Sequence, residues 1–243
     1  MMMGTSHATS GAFGWLLAAP AIGGLAIASD FNGPQMLAGA VVCAGAALLP
    51  DIDHPRATIA HTLGPITMGI AKFVHLISGG HRQGTHSILF IALSGVVTWL
   101  LASWSTIAAL LIVWSMTALA IKALHLAPKK MNSTLRTIVT GLEAAAVTWA
   151  VARYAGESWD WLAFAVAAGS AIHIAGDMLT PEGCPLIWPI SRRFAIPVIP
   201  HTDHWLETKV FVPLMSIGFF VLVWVNVIPE FGINLPDWLP GTN

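Results

Sequence analysis

Charge is what this chain has least of. Asp, Glu, Lys and Arg make up 9% of its 243 residues, against about 25% in an ordinary soluble domain. A water-soluble globule of this length could not solvate its surface with so few. The 56% hydrophobic content and mean hydropathy of +0.72 point instead to a chain solvated by lipid. The net charge of −1 offers no basic surface, which argues against a nucleic-acid partner. The 2 cysteines, Cys43 in an apolar run and Cys184 in a polar loop, are too few and too differently placed for a disulfide framework, and both read as free thiols. No polar stretch is long enough to fold as a soluble unit, so 1–243 reads as a single membrane-embedded domain. The first apolar run, ending Ala26-Ile27-Ala28-Ser29, lacks the positive flank of a secretory signal and reads as a retained helix.

What remains is hydrophobic runs and the breaks between them. Seven runs, at about 12–29, 35–50, 87–103, 105–124, 138–154, 160–179 and 210–228, approach the roughly 17–25 residues that a bilayer requires. The stretch 62–78 is weaker: Gly64-Pro65 opens it and Lys72 and His75 interrupt it, which predicts an interfacial helix. The expected fold is an all-α polytopic bundle of about seven transmembrane helices plus that interfacial one. Small residues such as Gly39, Ala40, Gly45, Ala46 and the segment 165–169 provide close-packing faces, because between helices in lipid dispersion takes the place of the hydrophobic effect. Trp15, Trp104, Trp159, Trp161 and Trp224 stand near run ends, where interface anchors are expected.

Threading these runs back and forth sorts the 11 cationic side chains. Arg56, Lys72, Arg82, Lys122, Lys129, Lys130, Arg136, Arg192, Arg193 and Lys209 fall on the side of the amino terminus, and Arg153 alone falls on the other, with Asp30, Glu157, Asp160, Glu230 and Asp237. By the positive-inside rule the first side is cytoplasmic and the carboxyl terminus lies outside. Lys122, close to a helix end, can snorkel.

The same threading gathers the histidines and carboxylates on the cytoplasmic side. Asp51 and Asp53 follow the second run directly and are stiffened by Pro50 and Pro55. In an extended turn they point apart, so one can ligate a metal while the other bridges a second ion or orients a histidine. A lone Asp-x-Asp would read as a solvated helix cap; beside His54 and the other pairs it reads as part of a metal site. His173 and Asp177, four apart in an apolar helix, share one face, and ionisable groups at membrane depth are functional candidates by default. His81 and His86 bracket a glycine-containing loop in which Thr85 or Ser87 can cap the next helix, and Arg82 has the planar fork that suits phosphate or carboxylate. Beyond Asp177 the loop carries Thr180-Pro181-Glu182-Gly183, then Arg192, Arg193, His201, Asp203, His204 and Glu207. That segment reads as a second ligand set or a lid, or as loop histidines with arginines that meet anionic headgroups. His7, alone in a terminal segment, would ordinarily be solvated, and only the threading sets it beside the rest.

In order, His7, LLPDIDHP at 48–55, GHRQGTHS at 80–87 and HIAGDMLTPEGCPLIWP at 173–189 resemble the YdjM-type family of membrane-bound metal-dependent hydrolases. The resemblance runs from His7 to about Glu207. That family is grouped distantly with the all-helical zinc-dependent phospholipase C and P1 nuclease fold, which holds a cluster of metals. The resemblance implies that His7, Asp51, Asp53, His86, His173 and Asp177 are metal ligands, with Glu207 and His81 as further candidates. The chain departs from the family pattern at Gln83-Gly84, and by roughly two extra spans before His173.

The expectation is therefore hydrolysis by a metal-activated water at the cytoplasmic face of a bacterial inner membrane. Two divalent metals, zinc or else manganese or iron, would clamp the oxygens of a phosphoester in a lipid or lipid-linked substrate. Arg82, Arg192 and Arg193 would meet phosphate charge, and His54 or His81 would move the proton. Two other classes compete: a metal transporter or channel, which requires polar groups at successive depths, and a noncatalytic scaffold with a closed metal site.

Overall fold

The computed structural model describes residues 2–25, 30–55, 57–62, 65–128 and 130–231. Arg56, Gly64, Lys129 and Asp237, and the end of the first apolar run at Ala26 to Ser29, lie outside them. Among the described residues the chain is all-α, with no sheet. Its helices are α1 (Gly4–Gly23), α2 (Gly33–Ala46), α3 (Pro65–Ser78), α4 (Ile88–Trp104), α5 (Thr106–Ala123), α6 (Ser133–Tyr154), α7 (Asp160–Met178) and α8 (Val212–Leu222). Wider π-helical turns extend α8 at Glu207–Phe211 and Val223–Val227. Among the described residues five segments are long and apolar enough to cross a membrane: Gly33–Asp53, Thr106–Ala123, Ser133–Tyr154, Asp160–Met178 and Glu207–Phe231.

Local signals set the helix starts. Asn32 and Gln35 form a reciprocal capping box at α2, and Ser87, Ser105 and Asn132 accept the orphan amides that open α4, α5 and α6. The largest departure from expectation is α1, which begins at Gly4 rather than near residue 12. Tertiary contacts hold that end: the Met2 amide donates to Asp177 Oδ1 (3.1 Å), the Met3 amide to Glu207 Oε1 (2.6 Å) and the Thr5 hydroxyl to the Ala123 carbonyl (2.9 Å). His7 consequently stands on a helix and is fully buried. The 14-residue α3 is too short to span and leaves Phe73, Leu76 and Ile77 exposed.

Two of the tryptophans expected at the interface belong to the core. Trp15 and Trp161 are fully buried, and their indole N–H groups donate to the carbonyls of Met36 (2.9 Å) and Ser158 (3.1 Å). A buried indole is retained where its one donor is satisfied. Trp104 and Trp224 are exposed.

The central element is α2, which packs against α1, α5 and α7. It admits them closely because small residues line the contacts. A Cβ on Gly169 would lie 2.7 Å from both the Cys43 carbonyl oxygen and the Ala46 Cβ, and one on Gly45 would run into the backbone of Met116. With alternating helices this close, the start of α1, the end of α2 and the end of α7 meet at one end of the bundle. That end is joined by Met2 to Asp177, Met3 to Glu207 and His173 to Ala47, while Gln35 and Ser158 meet at the other.

Gly169→Leu is expected to lower the thermal unfolding temperature of the detergent-solubilised protein, since overpacking a tight contact costs about 1–3 kcal/mol. Gly69→Leu, where a Cβ would meet nothing within 4 Å, is the matched substitution expected to leave it unchanged.

Candidate metal centre

The end of α2 creates the first part of the site. Its last turn runs into a 3-10 turn at Pro50–Asp53 that buries both carboxylates. A second 3-10 turn at Gly84–His86 buries His86 just before α4, α7 delivers His173 and Asp177 from one face, and α1 delivers His7. With Glu207 from the turn that opens the last helix, five separate stretches of chain supply one cluster. His7, Asp53, His86, His173, Asp177 and Glu207 are each 0% exposed.

Donor atoms converge within it. The His86 and His173 Nε2 atoms are 3.2 Å apart. Asp51 Oδ1 lies 3.8 Å from the first and 3.7 Å from the second; Asp177 Oδ2 lies 3.6 Å and 3.8 Å from them. His7 stacks on His173, with ring centroids 3.8 Å apart, and its Nε2 is 3.4 Å from Asp177 Oδ1. Two metal-competent triads result, His7/His173/Asp177 and Asp51/His81/His86. Bonds of about 2.0–2.1 Å to a tetrahedral ion set neighbouring donors about 3.3 Å apart, so the observed spacings need small adjustments at most.

Hydrogen bonding leaves the inward nitrogens bare. His173 Nδ1 is 2.7 Å from the Ala47 carbonyl, one of the orphan acceptors at the end of α2. A carbonyl only accepts, so Nδ1 carries the proton and Nε2 keeps its lone pair. The Thr85 hydroxyl donates to Asp53 Oδ2 (2.6 Å) and therefore accepts from His86 Nδ1 (3.1 Å). His81 Nδ1 donates to Asp53 Oδ1 (2.9 Å). In each case the protonated nitrogen points outward, the arrangement that orients metal-bound imidazoles. Asp51 Oδ1 and both His7 nitrogens have no hydrogen-bond partner in the protein. Buried polar atoms left in that state are costly, and a cation between them removes the cost, so the residues present fit a divalent metal.

Other residues of the expected set lie in the cluster with their polar atoms already engaged. Asp53 uses both oxygens, accepting also from the Arg82 amide at 3.1 Å. Glu207 accepts the Met3 amide on Oε1 and the Asp203 amide (3.0 Å) on Oε2, which ties the amino terminus to the last helix. Arg82 is buried. Its Nη2 forms an ion pair with Asp177 Oδ2 at 2.5 Å, and Nη1 reaches Glu182 at 3.1 Å and, at 3.4 Å, Thr180 Oγ1 and the Gly183 carbonyl. The His54 ring meets the edge of His81 at 4.5 Å between centroids.

Arg192 and Arg193 are exposed on the loop beyond α7, Arg192 over the Phe194 ring and Arg193 on the Glu182 carbonyl. His201 and His204 lie against each other farther along that loop and belong to neither triad. Cys184 is buried beside the site; burial, with Asp177 adding to it, pushes its thiol up to about 12, which keeps it neutral. The residues that sequence reasoning undervalued are Thr85 and Thr180. Thr85 looks like a helix cap, yet Ser87 caps α4. Thr180 is fully buried, accepts from Arg82 and donates to the Asp177 carbonyl (2.8 Å).

Comparison with known proteins agrees with the membrane setting. The profile of the family described as YdjM inner membrane protein matches residues 2–128 and 133–232. The inner membrane protein YdjM of Escherichia coli K12 and that of Shigella flexneri are each 27% identical over 185 residues, 75% of this chain. The matched region spans 64% of the length of those curated relatives. No solved structure matches significantly.

Thr85→Val keeps the volume but breaks the link from His86 to Asp53. Divalent-metal affinity is expected to fall about 10- to 100-fold in chelator competition, with helical content unchanged by circular dichroism. Equal affinity would mean that His86 needs no such support.

Proposed function

This chain belongs to the YdjM inner membrane protein family, and from that premise we propose that it is a membrane-bound metal-dependent hydrolase acting on a phosphoester of a lipid or lipid-linked substrate. The observation that carries the reading is the convergence of bare imidazole nitrogens and carboxylate oxygens at one end of an apolar bundle. In this reading α1, α2, α4, α5, α6, α7 and the helix Glu207–Phe231 cross the membrane and α3 lies at the interface. The cation-rich end, with the amino terminus and the site, faces the cytoplasm.

The two triads would hold two divalent ions, with zinc the best match to the mixed donors and manganese or iron the alternatives. Divalent metal bound there supplies Lewis acidity and a water activated at neutral pH. The residues do the rest. Asp51, His81 and His86 form the half nearer solvent, since His81 keeps 25% of its side chain exposed while His7 and His173 are sealed. A phosphoester would enter from the His81 side. Asp53 is a positioning residue: by holding His81, Thr85 and the Arg82 amide it fixes two imidazoles and the turn between them. His54, edge-on to His81 and half-buried, is placed to exchange a proton with a leaving oxygen. Arg82 already sits against Asp177 Oδ2, so its guanidinium borders the space where phosphate charge would develop. Arg192 and Arg193, on the exposed rim, suit the headgroup of a lipid substrate.

Elemental analysis of detergent-purified protein, paired with release of phosphate or headgroup from a panel of bacterial lipids, tests this. Wild type is expected to carry stoichiometric metal and to turn over at least one lipid. The double variant Asp51→Ala, His173→Ala is expected to lose both, and full activity in it would remove the proposal.

A further inference from the structure

A cavity of about 640 Å³, lined by none of the triad residues, lies where the ends of α5 and α6 meet the turn Ile59–His61. Its polar lining is basic: Lys122, Arg136, His61 and His125, with the hydroxyl residues Thr58 and Thr140, and no carboxylate among the described lining residues. Lys122 Nζ donates to the His61 carbonyl (2.8 Å), a neutral partner, and is in no ion pair among the described residues, while Arg136 Nη2 donates to the Met131 carbonyl (3.2 Å). His125 takes a left-handed conformation (φ 54°) just past the end of α5, where glycine is the ordinary residue. The Leu126 amide reaches back to the Ile121 carbonyl (3.0 Å) and closes the helix around it. A strained non-glycine residue there, with its imidazole on the cavity, is the kind of local cost that persists at binding sites.

On α6, Arg136 and Thr140 line this space, whereas Leu135, Ile138 and Leu142, 44%, 54% and 66% exposed, lie on the other side of the helix. The cationic and hydroxyl lining fits an anionic headgroup at the end of an apolar bundle. Basic pockets between helices on the cation-rich side of a membrane protein suit such headgroups.

We propose that this cavity binds the phosphodiester headgroup of an anionic phospholipid, with Lys122 and Arg136 as its charge partners. The site is separate from the metal cluster and does not depend on the hydrolase reading.

Native mass spectrometry of the full-length protein, titrated with phosphatidylglycerol and with phosphatidylcholine as the neutral-headgroup reference, tests it. Wild type is expected to prefer phosphatidylglycerol by about tenfold or more. Lys122→Gln with Arg136→Gln is expected to erase that preference while metal content stays unchanged. Thr140→Phe fills the cavity without altering charge and is expected to erase it too; it decides the matter if the charge variant is not recovered folded by gel filtration. An unchanged preference in the folded variants overturns the proposal. Millimolar inorganic phosphate is expected not to displace the lipid, and displacement would overturn the lipid assignment in favour of a free-anion site.

Discussion

Burying ionisable groups in an apolar bundle is the constraint on which the rest of this structure depends. A carboxylate or imidazole removed from water is costly unless hydrogen bonds, opposite charge or a metal replace the lost hydration. Around the cluster three carboxylates are met in this way. Asp53 takes three donors and Glu207 two backbone amides, while Asp177 faces Arg82 and His7. Within the cluster, Asp51 Oδ1, both His7 nitrogens and Arg82 Nε are left without a hydrogen bond. Satisfaction around the outside with a deficit at the centre is what distinguishes a binding site from a polar core.

The backbone is arranged to meet the same constraint. Helix ends expose orphan carbonyls and amides, and the cluster sits where those ends collect. The Ala47 carbonyl at the end of α2 fixes the tautomer of His173, and the amides of Met2 and Met3 at the start of α1 bind Asp177 and Glu207. An antiparallel bundle brings alternate ends together, so residues from positions 7, 51, 86, 173 and 207 reach one place without a long loop crossing the membrane. Close approach of α7 to α2, permitted by Gly169, sets His173 within reach of Ala47.

Much of this was legible in the sequence, because hydrophobic runs and polar breaks are strong signals and the parity of threading decides which breaks share a side. The paired groups Asp51/Asp53, His81/His86 and His173/Asp177 could be read as a cluster from spacing and side alone. The roles within it could not. That Asp51 keeps an oxygen without a hydrogen bond while Asp53 spends both depends on the turn Pro50–Asp53 and on Thr85, 32 residues farther along the chain, contacts that no periodicity encodes. The setting of His7 was hidden for a related reason: threading and resemblance picked out the residue, but its segment looks like a frayed terminus, whereas it is helical with Asp177 and Glu207 anchoring the amides before it. Trp15 and Trp161 misled in the opposite direction, since run-end tryptophans resemble interface anchors until a carbonyl is found for each indole.

The distribution of polar groups along the bundle bears on what such a cluster can be for. A conduit for ions or protons needs polar groups at successive depths. Beneath the cluster the interior is instead filled by Trp15, Leu16, Val42, Leu162 and Val166, all essentially without exposure and packed in one apolar core. Glu143 and Thr117 each bury an oxygen without a hydrogen bond, but they sit on α6 and α5, outside the set of elements that build the triads. A closed structural metal site would seal all of its donors, whereas His81 is part-exposed at the edge of the second triad and abuts His54. Open to one side, closed below and edged by an imidazole at the opening, the cluster has the form of an accessible metal-competent site and not that of a conduit or a sealed structural one.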